Sequence, residues 1–432
     1  MTDAKVLLWG TEIGAVSWDE KREIGIFQYA PGFLPSSIQL SPLMMPLSDF
    51  PYEFPALPRP SFWGLPGLLA DSLPDKFGNA LIDAWLASQG RTPASFNPVE
   101  RLCYIGRRGM GGLEFEPALF PPVTRTRKIA VAELVELSNR VLNQRSGLGG
   151  AFSGEDDRKA LEDILRVGTS AGGSRAKAIL AWNPKTNEFR SGQVKTPPGF
   201  EYWILKFDGI TNNRDKELAD PRGYGKIEYA YYKMALAAGI EMMPCRLHHE
   251  GGRSHFMTKR FDRDDDGSKI HMQSLAAMAH VDFNQAGVYS YEQALQTMKR
   301  LHLAQRDLEQ QVLRAMFNVV GRNQDDHVKN IAFLMDRSGV WRLSPAFDVT
   351  YSYDPLGAWT SRHQMSLNGK RDQFTREDLI TFAKVGGMKT KRANEMVAHV
   401  IEVVNRWPEI AGEVGVSEER IRQVKAAQRL FI

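Results

Sequence analysis

Asn323-Gln-Asp-Asp-His-Val-Lys-Asn330 and, eighteen residues beyond it, Asp348 in Ser344-Pro-Ala-Phe-Asp348 are the stretches on which the reading of this chain turns. Asp325 and Asn330 stand five positions apart, the spacing of base and metal ligand in the loop pattern H-R-D-x-x-x-x-N, and Asp348 supplies a second carboxylate downstream. Phosphoryl transfer needs that trio. One carboxylate orients and deprotonates a hydroxyl, while an amide oxygen and another carboxylate hold magnesium against the phosphates. The bland alternative is a polar loop in which Asp325, Asp326 and His327 are merely satisfied side chains, because a short motif needs its structural context.

The flanking residues set an expected context. Leu308, Val312, Leu313, Met316, Phe317 and Val320 recur at helical spacing, which predicts a helix over Asp307–Val320 capped by Gly321. Two short strands, Ile331–Met335 and Val340–Leu343, are expected around the turn Asp336-Arg-Ser-Gly339. Such a hairpin would return the chain and deliver Asp348 beside Asn330.

Composition narrows the class. A chain of 432 residues, 43% hydrophobic and 25% charged, fits a globular protein of two or three domains with sizeable cores. The net charge of +4 is too mild to mark a nucleic-acid binder without a concentrated basic face. Cys103 and Cys245 are the only cysteines, which excludes a disulfide scaffold and suits a reducing compartment. The start lacks a basic region followed by an apolar run, and no stretch approaches the ~20 apolar residues of a membrane span. A cytoplasmic location is expected.

Three regions follow along the chain. Residues 1 to about 120 open with strand-like Val6–Trp9 and Gly25–Tyr29, then cross Pro31–Pro66, which holds nine of the 23 prolines and so predicts a loop-rich subdomain. From 121 to 262 helix and strand alternate: Lys159–Val167 helical, Ala178–Trp182 and Tyr202–Phe207 extended, Glu228–Ala238 helical. Residues 263 to 432 are mostly helical in period apart from the hairpin, with helices at Val403–Trp407 and Glu418–Leu430.

Two elements of the middle region suit a nucleotide. Gly168-Thr-Ser-Ala-Gly-Gly-Ser-Arg-Ala-Lys177 can turn backbone N–H groups around a phosphate and add hydroxyls and cations. It lacks the G-x-x-x-x-G-K-[ST] spacing of a Walker loop, so a P-loop NTPase is excluded; taken alone, its glycines equally describe an ordinary turn. Lys206 lies in the apolar strand pattern Glu201-Tyr-Trp-Ile-Leu-Lys-Phe207, and Glu228, 22 residues later, is expected to open the next helix. That order allows a strand-lysine and helix-glutamate ion pair. In isolation the two read as a snorkelling lysine and a favourable charge at a helix N-terminus.

Together with Leu73-Pro-Asp-Lys-Phe-Gly78, Tyr104-Ile-Gly-Arg107, Arg260-Phe-Asp-Arg263 and Asn368-Gly-Lys-Arg371, these motifs resemble the HipA-like serine/threonine kinases, toxin components of bacterial toxin–antitoxin modules. The resemblance implies a two-lobed, kinase-like α+β fold with an extra N-terminal β-rich subdomain and a mostly helical C-terminal lobe. It implies ATP and Mg2+ as cofactors, Asp325 as the base, and Asn330 and Asp348 as metal ligands. Lys206 would hold phosphates beside Glu228, with Ser170, Ala171, Gly172, Gly173 and His327 also at the nucleotide. Lys259, Phe261 and Asp262 would meet adenine and ribose. A loop hydroxyl, Ser170 or Thr169, would be autophosphorylated and silence the enzyme. Implied partners are a small helix-turn-helix, HipB-like antitoxin, through which DNA contact would be indirect, and a protein substrate such as an aminoacyl-tRNA synthetase whose modification arrests growth and leads to persistence.

Two departures stand out. Lys259 replaces the acidic residue that often precedes the Arg-Phe-Asp-Arg run, and Ser174 adds a third hydroxyl to the loop. Other classes remain open: a small-molecule phosphotransferase using the same trio, a metal phosphohydrolase recruiting Asp325, Asp326 and His327, or a nucleotide-binding co-repressor.

Overall fold

The computed structural model describes residues 2–74, 76–119, 128–143, 164–165, 167–168, 175–209 and 223–432. Most of the helix expected at Lys159–Val167, and the loop residues Thr169, Ser170, Ala171, Gly172, Gly173 and Ser174, lie outside them. Among the described residues the strands form three antiparallel sheets.

The first sheet joins β1 (Thr2–Leu8), β2 (Thr11–Asp19), β3 (Ile24–Tyr29) and β4 (Leu113–Glu116) in the order β3-β2-β1-β4. Alternation along the strands sends Val6, Leu8, Ile13, Val16, Phe27 and Phe115 into the core, as a half-buried sheet requires. The proline-rich stretch carries one one-turn helix, Arg59–Phe62, and its last proline caps a second, Gly67–Ala70, so both have proline at or beside the N-cap. That placement follows from the missing N–H, which a first helical turn does not need.

The second sheet contains β5 (Lys177–Asn183), β6 (Glu188–Ser191), β7 (Glu201–Lys206), β8 (Cys245–Glu250) and β9 (Arg253–Lys259), ordered β6-β5-β7-β9-β8. Helix Tyr224–Ala237 lies against it, with Glu228 reaching Lys206 on β7, while Ile227, Tyr231, Met234 and Ala235 join a core that also holds Phe317, Val320 and Trp407. The approach is close enough that a Cβ on Gly225 would stand 2.1 Å from the Ser254 carbonyl, so any side chain there must push helix and strand apart. Glu228 is the fifth residue of this helix, not its first. The helix starts earlier than expected because Tyr224 buries its ring and hydrogen-bonds the Tyr351 carbonyl.

The third sheet, β10 (His271–Ser274), β11 (Ala332–Met335) and β12 (Trp341–Leu343), contains the expected hairpin. Six helices of eight or more residues accompany it and pack on one another: Tyr291–Arg300, Gln305–Gly321, Arg376–Val385, Thr390–Asn405, Trp407–Val414 and Glu418–Ala427. The fully buried Trp407 ring lies 5.3 Å from Tyr231, tying this region to the second sheet's helix. Pro408 near the start of Trp407–Val414 separates that helix from Thr390–Asn405. The last helix ends at Ala427 rather than Leu430, where the chain turns to give the Arg429 N–H to the Val320 carbonyl. The Asn368-Gly-Lys-Arg371 turn is held by Asp378, whose carboxylate accepts from Asn368 and Lys370, each at 2.7 Å.

Candidate active site

Helix Gln305–Gly321 buries Leu308, Val312, Leu313, Met316, Phe317 and Val320, which anchors its C-terminal end in the core at roughly 1.5–3 kcal/mol per large side chain. Gly321 is still helical; the left-handed cap is Arg322, with φ at 60°. Tertiary bonds offset the unfavourable conformation of a non-glycine residue: Arg322 Nε donates to the Ala427 carbonyl at 2.7 Å and Nη1 to Gln324 Oε1 at 2.9 Å. The expected Gly cap is therefore displaced by one residue.

Beyond the cap the chain is fixed on two sides. The Gln324 N–H donates to the Ser352 carbonyl at 3.0 Å, and the Ser352 N–H to the Arg322 carbonyl at 3.1 Å. This bridge ties the segment after Asp348 to the residues before Asp325. Asn330 Nδ2 donates to the Asp325 carbonyl at 2.8 Å, closing the loop and leaving the amide oxygen uncommitted to that bond. The Asp325 carboxylate, about a third exposed, accepts from Trp359 Nε1 at 2.7 Å. His327 Nε2 lies 3.8 Å from the same oxygen, while its buried Nδ1 has no hydrogen-bond partner among the described residues.

Asp326, its neighbour in sequence, has a different environment. Its carboxylate accepts from the Tyr291 hydroxyl, His363 Nδ1 and the Gln364 N–H, each at 2.7 Å. Burial alone would raise its pKa; His363 and these hydrogen bonds outweigh that and lower it. Asp326 is thus an internal strut, engaged on both oxygens. The phosphohydrolase grouping of Asp325, Asp326 and His327 is not assembled.

Lys206, Glu228 and Asp348 do come together. Lys206 Nζ lies 2.5 Å from Glu228 Oε1 and also bonds Asp348 Oδ1. Arg175 Nη1 reaches Glu228 Oε2 at 3.3 Å while its guanidinium lies 3.4 Å from the Tyr224 ring centre. Lys177 is buried directly across the sheet from Lys206, its partner in the β5–β7 register. Burial opposes charge on Lys206, but Asp348 and Glu228 raise its pKa. Burial likewise disfavours the Asp348 anion, yet Lys206, Lys177 and Arg175 hold it well below the usual carboxylate range. Asp348 also has φ at 54°, a left-handed conformation that Asp tolerates better than most residues. Among the described residues the buried Lys206 and Lys177 and the partly exposed Arg175 face two carboxylates, a cluster of cationic groups chemically suited to a phosphate chain. Asp348 and the Asn330 amide oxygen are hard oxygen donors of the kind magnesium takes. The residues present therefore fit Mg-ATP.

The adenine-ribose segment is only partly as expected. Phe261 has its ring 5.5 Å from Phe347, next to Asp348. Lys259 is committed to Glu201 at 3.3 Å and Asp265 at 2.9 Å. Asp262 is fully buried and accepts from Arg260, Arg263 and the Gly111 N–H. Both its oxygens are used inside the protein, so Asp262 is a clamp between segments and not a cleft residue. Arg175 and Lys177 are the cations of the Gly168–Lys177 stretch, not singled out individually from sequence, and Trp359 was not assigned to the site at all. Alternation of Lys177 within an apolar strand pattern was a usable signal; nothing local marks Trp359.

Residues 169–407 match the HipA-like C-terminal domain, and residues 4–116 match the HipA N-terminal domain. The chain belongs to the HipA-like family. A Sinorhizobium fredii protein named "Putative kinase Y4mE" is 26% identical over 254 residues, 54% of this chain. That match spans about half the relative's length, 54%. Among solved structures, the Shewanella oneidensis MR-1 toxin–antitoxin complex of HipA, HipB and operator DNA contains a chain with TM-score 0.67 and 18% identity, covering 98% of this chain and 95% of that one. The fold is thus the mixed α/β HipA-like fold with a helical C-terminal region. Among the described residues no helix is long and apolar enough to cross a membrane.

Proposed function

We propose that this HipA-like family member is a Mg-ATP-dependent serine/threonine-protein kinase, the toxin of a type II toxin–antitoxin pair, with domain boundaries near residues 120 and 262. The observation that carries this reading is the convergence of Lys206, Glu228 and Asp348 from β7, its packed helix and the segment after the hairpin. Asp325 accepts the proton of the acceptor hydroxyl; Lys206, set by Glu228, and Lys177 bind the phosphates; Asn330 and Asp348 are the metal ligands. Bound Mg2+ supplies charge neutralisation and alignment of the phosphates. His327 and Phe261 line the nucleotide side.

The decisive assay is transfer from labelled ATP. Asp348→Asn removes a charge that holds magnesium, so Mg-ATP affinity is expected to fall by at least about 10- to 100-fold, the range for losing a mere outer-shell partner of a metal ligand, with transfer falling alongside. Unchanged Mg-ATP binding by this variant would remove Asp348 from the metal site.

The protein acceptor is of the aminoacyl-tRNA synthetase class, and the partner is a helix-turn-helix, HipB-like antitoxin in the cytoplasm; the solved HipA, HipB and DNA complex supports that pairing. We further propose autophosphorylation on Ser170, with Thr169 as the alternative. A phosphate adds about −1.5 to −2 charges at neutral pH and would repel ATP from the loop. Phosphopeptide mapping after ATP incubation should find the modification in residues 168–177 and lose it in Ser170→Ala. Persistence of that peptide's phosphate in the double variant with Thr169→Ala points to Ser174 instead.

A further inference from the structure

We propose that Trp359 is a positioning residue for the base, an inference that rests on the phosphotransfer reading. Among the described residues, the one hydrogen bond to the Asp325 carboxylate comes from the Trp359 indole N–H, at 2.7 Å on Oδ1. An indole can only donate, and its bond to an anionic oxygen is charge-assisted. The two carboxylate oxygens are thereby given separate tasks. Oδ1 is held by the ring, and Oδ2 is left to take the acceptor proton.

The indole is itself fixed from the loop it serves. Gln364 Nε2 donates to the Trp359 carbonyl and, at 3.2 Å, to the Gln324 carbonyl. The Gln364 N–H binds Asp326 Oδ1, and Gln324 Nε2 donates to the Thr360 carbonyl at 2.8 Å. Gln324 and Asp326, on either side of Asp325, thus grip Thr360 and Gln364 just after Trp359, and the indole returns across that junction to the carboxylate. On its other side the ring lies 6.4 Å from His327 in a tilted arrangement. Without the N–H, the partly exposed Asp325 side chain is free to turn about its own bonds, and a base displaced by about 1 Å can cost roughly 100-fold in rate.

The test uses the full chain, with casein as the acceptor and labelled ATP as donor. Trp359→Phe keeps a ring but loses the donor; kcat should fall by roughly 10- to 100-fold with KM for ATP within about twofold. Trp359→His, which restores a ring N–H, should recover part of that loss. Contact in solution is read from the indole resonances of 15N-labelled protein, which has nine tryptophans: the signal deleted by Trp359→Phe should move in Asp325→Ala while the others stay. An unmoved signal overturns the contact. Wild-type transfer undiminished, or increased, by Trp359→Phe overturns the positioning role, an increase making the indole a block on the base. No transfer by wild-type protein to casein or to its own loop overturns the phosphotransfer reading, and this role with it.

Discussion

Asp325→Asn should lower phosphotransfer by about 10²- to 10⁴-fold, the usual contribution of a positioned acid or base, while Mg-ATP affinity stays within about twofold. The split follows from where the carboxylate points. Asp325 is bound by Trp359 on one oxygen and is not part of the Lys206, Glu228 and Asp348 cluster, so its loss acts on the acceptor and spares the phosphates. The asparagine amide oxygen can still accept the indole N–H, which keeps the loop in place and isolates the chemical deficit. Single-turnover transfer and equilibrium nucleotide binding on the same preparation separate the two quantities. Transfer at the wild-type rate would remove Asp325 from the base role. In cells lacking the antitoxin, the wild-type chain should slow growth and the variant should not.

Asp325 and Asp326 also show where sequence stops being informative. Adjacent and chemically identical, they differ only in what surrounds them: one is partly exposed and meets the Trp359 indole, the other Tyr291, His363 and the Gln364 amide. Those partners lie 35 to 38 residues away in the chain, and local pattern carries no trace of them. The hairpin was legible because its two strands and turn are contiguous and their alternation is local. Helix Gln305–Gly321 was legible in its apolar stripe but not in its last residue, since a glycine is the local preference for a cap whereas Arg322 is held there by Ala427 and Gln324. Glu228 was placed at a helix start for a similar reason: the burial of Tyr224 that extends the helix depends on Tyr351, 127 residues downstream.

Asp262 is the clearest case of a residue whose type suggested one role and whose packing imposes another, and removing it should have the largest effect on stability. Its Oδ1 accepts from Arg260 Nε at 2.8 Å; its Oδ2 accepts from Arg260 Nη2 and the Gly111 N–H at 2.8 Å and from Arg263 Nη1 at 2.7 Å. Arg263 Nη2 continues to the Gly109 carbonyl at 2.8 Å, so the cluster joins the chain leaving β9 to the turn leading into β4. Nearby Lys269 is paired with Glu114 at 3.0 Å, and burial first, then Arg263, push its pKa down to about 8. Taking away the Asp262 anion leaves two buried guanidiniums and a buried ammonium with Glu114 as the remaining carboxylate named among them. Breaking a buried ion pair by removing one partner costs about 3–5 kcal/mol, a large share of the 5–15 kcal/mol typical of a folded domain. Asp262→Ala should therefore lower the unfolding free energy by that amount. The sign with pH is set by the same charges: burial would raise the Asp262 pKa, but Arg260 and Arg263 depress it below the usual carboxylate range. Its contribution is fully present above an unfolded-state pKa of about 3.9 and is lost as pH falls towards the folded value. Denaturant unfolding at pH 7 and at pH 3 should show wild type losing stability on acidification and Asp262→Ala losing correspondingly less. A ribose contact would give the opposite pattern, weaker ATP binding at unchanged stability, and that result would return Asp262 to the nucleotide cleft.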